Sequence, residues 1–513
     1  MPEPALNFAD LLLAAGTSDA PAVVQGDVSL GYGALRGWVA AMERELAEQA
    51  IPPGDRIGLL AENGPFFVAC YLAVIRGGRC VVPLPADMSE DALARLSRRL
   101  DLGAVIVSSR WAAKLPGLRS AIADLPEPAT RSSTRRQRQP RLLREEELPT
   151  AADGAPLTAA AQVEPARDLA AIMLTSGSTG EPKGVMVSHR NLLCNTRDIL
   201  AYTGMGPADR AMAVLPFYYC FGASLLHTLL AAGGTTVINN RFMFPEKVLD
   251  DLAAQKCTGM AGVPSTYQIL LRKTRFAARR FPSLRWLQQA GGKLPDPFIR
   301  ELRAAHPQVR LFIMYGQTEA TARLSYLPPE RLEDKLGSIG RGLPGTRLEV
   351  LRSDGSAVEP GSDEIGEIVA SGDNITLGYW NDPEETERFF RGGRLFTGDM
   401  ARLDADGFLF IVERARDFIK SMGNRVSPKE VEEVLCELPE VVEAAVVGVA
   451  DEIWGEAIKA CIVPVPESGL SPDAVRAHCL TRLPNYKIPQ YVELLRELPR
   501  TSNGKVAKER LRG

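Results

Sequence analysis

The chain has 513 residues, a formal net charge of −3 and an ordinary apolar content of 45%. Its length exceeds what one hydrophobic core usually supports, so we expect two or more domains. The nearly balanced charge gives no electrostatic footprint for nucleic acid or an acidic membrane, and no run approaches the roughly 18 uninterrupted apolar residues of a membrane helix. Composition therefore argues against nucleic-acid and membrane partners.

Cysteine usage and the first residues bear on the compartment. The eight cysteines are scattered and form no C-x-x-C pair, a pattern typical of buried reduced thiols rather than of a disulfide frame or zinc site. The first segment, MPEPALNFADLLLAAG, carries Glu3 and Asp10 and lacks the basic start of a signal peptide. We therefore expect a cytoplasmic protein.

The first hundred residues alternate helical and strand patterns. SLGYGALRGWVAAMERELAEQ predicts an amphipathic helix, DRIGLLAE a strand, and GPFFVACYLAVIRGG a helix that ends at glycines. This alternation favours an α/β fold with parallel strands. Residues 131–147, RSSTRRQRQPRLLREEE, interrupt it, and we interpret them as a solvated surface loop rather than a nucleic-acid arm.

A loop rich in glycine, serine and threonine occurs in LTSGSTGEPKGVMVSH. Apolar residues 169–174 and 185–187 predict a strand on each side, and Ser188 is a predicted helix cap. Unhindered N–H groups, hydroxyls and one lysine suit a phosphate, although Pro182 and Gly184 exclude the Walker pattern. The candidate phosphate ligands are Thr175, Ser176, Gly177, Ser178, Thr179, Gly180 and Lys183.

IMYGQTEAT follows a predicted strand in the next α/β stretch. Open α/β sheets bind ligands at the carboxyl ends of strands, where Tyr315 is suited to stack on a base and Thr318 to bond a phosphate. Glu319 is a hard oxygen ligand of the kind that Mg²⁺ prefers. A Thr-Glu pair alone is also typical of an ordinary helix start.

The last 170 residues change pattern twice. TRLEVLRSDGSAVEPGSDEIGEIVASGDNITLGYW predicts a small β-barrel or β-rich subdomain. Asp399 then follows a predicted short strand, either as a turn residue or as an acceptor for both ribose hydroxyls. After Val412 we predict a small α+β domain with helices over 428–438 and 471–482, and Lys505 follows a loop near the chain end.

Taken together, these motifs resemble the adenylate-forming superfamily, which includes acyl-CoA synthetases, stand-alone and peptide-synthetase adenylation domains, and firefly-type luciferases. The resemblance covers nearly the whole chain, in order and at similar spacing. The matching stretches are residues 175–184, LPFYYCFG, GVPSTY, AGGKLP, YGQTE, GEIVASGDNITLGYW, TGD, RARDFIKSMGNRVSPKEVE and the final lysine motif.

The resemblance implies a fold and a domain division. We expect a large N-terminal domain, residues 1–415, with parallel α/β sheets and a β-rich subdomain, followed by a small mobile α+β domain, residues 416–513. Arg416 occupies the position of the family's hinge, and Gly423 lies in the segment that lines its thiol tunnel. On this assignment, Arg416→Pro spares adenylation and cripples thioester formation.

The resemblance also implies a two-step ligase that uses ATP and Mg²⁺. A substrate carboxylate attacks the α-phosphate of ATP to give an acyl-adenylate and pyrophosphate, and the thiol of CoA or of phosphopantetheine then displaces AMP. The implied catalytic residues are Lys505, Thr318 and Glu319, with Glu319 also holding the metal. Outside the phosphate loop, the implied nucleotide ligands are Gly291, Gly292, Tyr315, Gly316, Asp399 and Arg414.

The implied acyl pocket is mostly apolar or aromatic. Gly222 stands where α-amino-acid enzymes usually have an aspartate for the ammonium group, so we disfavour amino acids. Tyr219 replaces the histidine that commonly gates this pocket, and Glu413 replaces a glycine. A fatty acid and an aryl acid both remain open. The pocket candidates are Tyr218, Tyr219, Phe221, Gly222, Val263, Gly291, Met314 and Leu324.

Three functions fit these observations. The first is an acyl-CoA ligase, and the second is a stand-alone enzyme that loads a separate carrier protein. The third, from a different class, is a catalytically silent acyl- or nucleotide-binding protein. Exchange of pyrophosphate into ATP separates the third from the other two, and the thiol acceptor separates the first from the second.

Overall fold

The computed structural model describes residues 6–85, 88–123, 140–175, 182–412, 418–421, 424–451, 455–500 and 506–512. These ranges contain four β-sheets joined by helices and short loops. None of the helices within them is long and apolar enough to cross a membrane.

Residues 6–148 form the alternating helices and strands that the sequence predicts. The amphipathic spacing of α2 buries one face, including Leu35, Val39, Met42 and Leu46. The elements are α1 Phe8–Ala14, β1 Pro21–Gln25, β2 Val28–Gly31, α2 Tyr32–Glu48, β3 Arg56–Leu60, α3 Pro65–Arg76, β4 Cys80–Pro83, α4 Glu90–Arg99, β5 Leu102–Val107, α5 Ser109–Lys114, α6 Leu118–Ala123 and β6 Arg141–Arg144.

The surface-loop interpretation of residues 131–147 is wrong for its second half. Arg141–Arg144 is a strand that pairs in parallel with β5, and Leu143 is buried in the main core. Because charged residues lie on both sides of it, the one buried leucine of this strand, Leu143, gave no clear strand pattern in the sequence. Residues 131–139 lie outside the described part of the chain.

Residues 169–342 continue the α/β pattern, and Ser188 caps the helix that follows it, as predicted. The elements are β7 Leu169–Thr175, β8 Lys183–Ser188, α7 His189–Thr203, β9 Arg210–Ala213, α8 Cys220–Ala231, β10 Thr235–Ile238, α9 Pro245–Ala254, β11 Gly259–Gly262, α10 Pro264–Lys273, β12 Trp286–Gln289, α11 Asp296–Ala305, β13 Arg310–Tyr315, β14 Ser325–Leu327 and β15 Arg341–Gly342.

Two sheets result from these first two regions. One has the order β6-β5-β3-β4-β7-β8 and is parallel except for the β7–β8 hairpin. The other has the order β15-β14-β13-β12-β11-β9-β10-β1-β2 and is parallel from β13 to β1. The nearly all-apolar helices α3 and α8 share one core with strands of both sheets. Because β11, β12 and β13 run parallel to one another, their carboxyl ends lie at the same edge of the larger sheet.

Residues 346–412 form the predicted β-rich part. Its elements are β16 Thr346–Leu351, β17 Gly366–Gly372, α12 Pro383–Phe389, β18 Phe390–Arg391, β19 Arg394–Leu403 and β20 Leu409–Val412. All pairings in this sheet are antiparallel, in the order β16-β17-β19-β18 with β20 beside β19.

Asp399 differs from its predicted place after a short strand. It lies within the ten-residue strand β19, because the strand continues past a register shift opposite β17. Gly398 takes a positive φ of 71° at that shift, a conformation that favours glycine.

The C-terminal residues form a separate sheet of order β22-β21-β24-β23, with β25 beside β24. Helix α13 packs against β23, and it ends three residues earlier than predicted. The elements are β21 Ile419–Ser421, β22 Asn424–Val426, α13 Pro428–Leu435, β23 Val441–Asp451, β24 Gly455–Pro464, α14 Pro472–Arg482 and β25 Tyr491–Leu494.

Candidate active site

A cleft of about 1190 Å³ opens at the carboxyl edge of the nine-stranded sheet. The ends of β12 and β13 form its floor, β19 forms a side, and α13 of the C-terminal region closes it. Ligands of open α/β sheets bind at this edge. Residues from three of the four sheets and from helix α13 therefore line the cleft.

The structure brings together many of the predicted site residues from distant stretches of the sequence. Those that line the cleft are Thr175, Lys183, Tyr219, Phe221, Gly291, Gly292, Met314, Tyr315, Gly316, Thr318, Glu319 and Asp399. Other predicted residues lie outside the described part of the chain: Ser176, Gly177, Ser178, Thr179, Gly180, Glu413, Arg414, Arg416, Gly423 and Lys505.

Four acyl-pocket candidates do not form part of the cleft wall. Leu324 is fully buried in a small core with Ala320 and Leu395. Gly222 lies in the first turn of α8, where an added Cβ would be 2.1 Å from the carbonyl oxygen of Pro216. Tyr218 packs against the main core and Val263 is buried within it, so these two residues support the pocket from behind.

Tyr315 and Asp399 form the side of the cleft predicted to bind the nucleoside. The Tyr315 hydroxyl donates a 2.7 Å hydrogen bond to Oδ2 of Asp399, and the Gln317 amide donates to the Tyr315 oxygen at 3.3 Å. Burial and the neighbouring Asp399 carboxylate raise the pKa of Tyr315 well above its usual value. The phenol therefore stays protonated and holds the Asp399 carboxylate in place.

Two further carboxylates, Glu319 and Glu385, line the same cleft. Tyr379, which sequence reasoning missed as a site residue, donates a 2.7 Å hydrogen bond from its hydroxyl to Oε1 of Glu319. Lys183 forms an ion pair with Glu385, and its Nζ lies 5.4 Å from the centre of the Tyr379 ring. Tyr379 stands in the quoted GYW motif, but nothing in the sequence pattern assigned it a partner.

The turn after β13 places Thr318 and Glu319 at the cleft. This turn requires glycine at position 316, because a Cβ there would lie 1.9 Å from the carbonyl oxygen of Ala322. Two residues without glycine's freedom, Thr321 and Ala322, take positive φ values of 64° and 138°. Such conformations persist where the surrounding structure imposes them, and they concentrate at functional sites.

The other side of the cleft is apolar and aromatic. Tyr219 is 8% exposed, and burial raises its pKa, so it remains a neutral wall residue. Gly291 faces it with a positive φ of 89°, and a Cβ at Gly291 would lie 3.4 Å from the Tyr219 hydroxyl. Phe221, Met314 and the unpredicted Arg323 complete this wall.

The residues present fit a magnesium ion bound together with phosphates. Glu319 offers a carboxylate that Tyr379 orients, and no cluster of three acidic, histidine or cysteine side chains occurs among the described residues. Mg²⁺ at phosphate-transfer sites is usually held by one or two carboxylates plus substrate oxygens and water rather than by an all-protein cage.

Comparison with known proteins identifies the architecture around this cleft. A family model described as AMP-binding enzyme matches residues 13–380, and one described as AMP-binding enzyme C-terminal domain matches residues 430–505. The chain belongs to the adenylate-forming family of AMP-binding enzymes.

Relatives of this AMP-binding enzyme match it over almost its whole length. A feruloyl-CoA synthase from an Amycolatopsis species is 33% identical over 508 residues, 96% of this chain and 95% of the relative. An indoleacetate–CoA ligase from Aromatoleum aromaticum is 30% identical over 485 residues, 94% and 92% of the two chains. An o-succinylbenzoate CoA synthetase from Bacillus subtilis, solved with its acyl-adenylate, has a TM-score of 0.82 and 28% identity, covering 99% of this chain and 98% of that one.

These matches confirm the reaction class and the α/β architecture expected from the sequence. The AMP-binding enzyme is an AMP-forming acid–thiol ligase that uses ATP and Mg²⁺, acts on a small carboxylic acid and takes CoA as acceptor. The catalytically silent alternative has no support among these relatives.

Proposed function

We propose that the chain activates an aromatic carboxylic acid as its AMP ester and transfers the acyl group to CoA. The observation that carries the choice of acid is the wall formed by the aromatic rings of Tyr219 and Phe221 and the thioether of Met314, next to the nucleotide side of the cleft. Aromatic rings pack well against such walls. The names of the feruloyl and indoleacetate relatives point to the same class of acid.

In the first half-reaction, a carboxylate oxygen of the acid forms a bond to the α-phosphorus of ATP, and the bond from that phosphorus to the bridging oxygen of pyrophosphate breaks. Two anions must approach, so positioning and positive charge dominate the catalysis. We assign Lys505 to bridge the carboxylate and the α-phosphate. Residues 175–180, with Lys183, would hold the departing pyrophosphate.

The described residues supply the rest of the nucleotide site in this proposal. Tyr315 stacks on the adenine, while the oriented Asp399 carboxylate accepts hydrogen bonds from the ribose hydroxyls. Arg414, which lies outside the described residues, is assigned to the same nucleotide site. Gly291 and Gly292 allow the nucleotide to approach the backbone. Thr318 donates to a phosphate oxygen, and Glu319 would hold the magnesium ion, which neutralises phosphate oxygens when bound.

In the second half-reaction, the sulfur of CoA attacks the acyl carbon, the bond from that carbon to the phosphate oxygen breaks, and AMP leaves. The thiol proton is released to solvent. We propose that residues 416–513 rotate about Arg416 between the two steps and bring Gly423 to the thiol. The cleft wall supports such a division, because residues 427–434 close it opposite the larger region.

The proposed compartment follows from chemistry rather than from an address signal. None of the eight cysteines forms a disulfide bond, as expected where thiols stay reduced, and ATP and CoA are both available in the cytoplasm. We place the reaction there.

The test is acid-dependent exchange of labelled pyrophosphate into ATP, with cinnamic, phenylacetic and benzoic acids set against straight-chain acids of similar size. The proposal predicts exchange with at least one aromatic acid and thioester formation when CoA is added. Exchange with straight-chain acids alone would contradict the aromatic assignment. Thioester formation only on a pantetheinylated carrier protein would contradict the assignment of CoA.

A further inference from the structure

Arg323 is a charged residue in the apolar half of the cleft. It is 1% exposed, yet it lines the cleft beside the aromatic wall. Its guanidinium carbon lies 4.2 Å from the centre of the Phe221 ring, and its Nε donates to the sulfur of Met314 at 3.2 Å. Tyr202, whose hydroxyl donates to the same sulfur at 3.1 Å, also accepts a hydrogen bond from the Arg323 side chain through its phenol oxygen.

These partners differ from those of the other buried arginines. Arg56 pairs with Asp101 at 2.5 Å, and Arg76 pairs with two carboxylates at 2.6 and 2.7 Å. Arg79 donates to the carbonyl oxygen of Ile51. No carboxylate lies within ion-pair distance of Arg323 in the part of the chain that the structure describes. Its cation therefore lacks the counter-charge that the chain gives to Arg56 and Arg76.

A buried guanidinium needs a partner that compensates its charge. An arginine in a protein stays charged, and a buried charge is unfavourable unless an anion or strong hydrogen-bond acceptors compensate it. A thioether, a ring face and a neutral phenol oxygen are weak partners by comparison with a carboxylate. The planar guanidinium matches a carboxylate or sulfonate through two parallel hydrogen bonds. The turn with positive φ at Thr321 and Ala322 leads directly into Arg323 and places this side chain at the cleft.

We propose that Arg323 binds a second anionic group, a carboxylate or sulfonate, at the end of the acid remote from the reacting carboxylate. The substrate class is then an aromatic acid with two negative charges, one activated as the adenylate and one paired with Arg323. This inference rests on the proposed function, since it assigns the acyl group to the wall that holds Phe221 and Met314.

The test uses acids that differ only at the remote end. Pyrophosphate exchange is measured with cinnamic acid and with its meta- and para-substituted carboxylate, sulfonate and carboxamide derivatives, on the wild-type chain, Arg323→Met, Arg323→Lys and the exposed control Arg347→Met. Thermal unfolding and calorimetric binding of ATP establish that each variant is folded.

We expect the wild type to activate at least one of the anionic acids about tenfold or more better, in kcat/KM, than the matching carboxamide. Arg323→Met should lose that preference and gain activity with unsubstituted cinnamic acid, whereas Arg323→Lys should keep a weaker preference. Arg347→Met should behave as the wild type. Comparison of the carboxylate with the sulfonate derivatives shows which of the two anionic groups Arg323 binds better.

Two results would overturn the inference alone: equal activation of the anionic and carboxamide acids by the wild type, or an unchanged preference in a folded Arg323→Met. In both cases activation of cinnamic acid would leave the proposed function standing. The absence of exchange with every acid would instead contradict the proposed function, and with it the inference that rests on it.

Discussion

Removal of the Tyr379 hydroxyl tests whether Glu319 must be held in position. The Tyr379→Phe substitution removes the 2.7 Å hydrogen bond to Glu319. The aromatic ring remains in place. It still packs edge-on against Phe389 and Phe390, at centroid distances of 6.2 and 5.8 Å, and still lies near Lys183. The change is therefore confined to one donor beside a carboxylate in the cleft.

The size of the effect follows from the type of bond. A hydrogen bond to a charged group contributes about 1.5–3 kcal/mol. Glu319 is only partly buried, so water can replace part of the lost bond and the lower end of that range, about 1.5–2 kcal/mol, applies. At 1.36 kcal/mol for each factor of ten, this corresponds to a fall of about 10- to 30-fold in kcat/KM for ATP. Because Glu319 is the proposed magnesium ligand, the variant should also need more Mg²⁺ for half-maximal exchange.

The assay is pyrophosphate exchange with an accepted acid, at saturating acid and varied ATP and Mg²⁺. Tyr32→Phe is a matched control, since it removes another buried hydroxyl, which donates to the carbonyl oxygen of Gly234 at 2.8 Å, far from the cleft. It should lower stability without changing the Mg²⁺ requirement. An unchanged rate in folded Tyr379→Phe, or an equal loss in both variants, would refute the argument.

Three further predictions concern the nucleotide side, the turn after β13 and a buried histidine. Asp399→Asn keeps the hydrogen bond from Tyr315 but removes the charge. In exchange kinetics it should raise the KM for ATP about tenfold without changing the KM for the acid. The same KM for ATP in the variant and the wild type would contradict the ribose assignment. Gly316→Ala forces a Cβ to 1.9 Å from the Ala322 oxygen, and urea unfolding should show a loss of about 1–3 kcal/mol together with lost exchange. Burial lowers the pKa of His227 to about 3, so it is neutral in the folded chain, while the unfolded chain takes up its proton below pH of about 6.5. The free energy of unfolding should therefore fall as pH drops from about 6.5 towards 3, and it should fall less steeply in His227→Gln, a difference that urea titrations at several pH values measure.

The sequence predicted the local features that one stretch determines by itself. The apolar runs on either side of the glycine-rich loop form β7 and β8, and Ser188 caps α7 as expected. YGQTE follows β13 at the carboxyl edge of the sheet, as its position after an apolar run indicated. These outcomes depend on periodicity, capping and the rule for ligand sites in parallel sheets.

The sequence did not predict features that depend on contacts between residues far apart in the chain. Strand β6 was missed because its single buried leucine lies among charged residues, and only pairing with β5 reveals it. Tyr379 and Arg323 were missed as site residues, since their roles arise from contacts with Glu319 and Phe221 across the fold. Conversely, Leu324 suits an apolar pocket by residue type, but the turn before it points it into a separate core.

In the proposed function, the chain joins an aromatic acid to AMP before it transfers the acyl group to CoA. The most direct measurement is acid-dependent pyrophosphate exchange on the wild type and Lys505→Ala, with calorimetric binding of ATP as the folding control. We expect exchange that requires an aromatic acid and that disappears in Lys505→Ala while ATP binding persists. ATP binding without exchange for any acid, or undiminished exchange in Lys505→Ala, would contradict the proposed function.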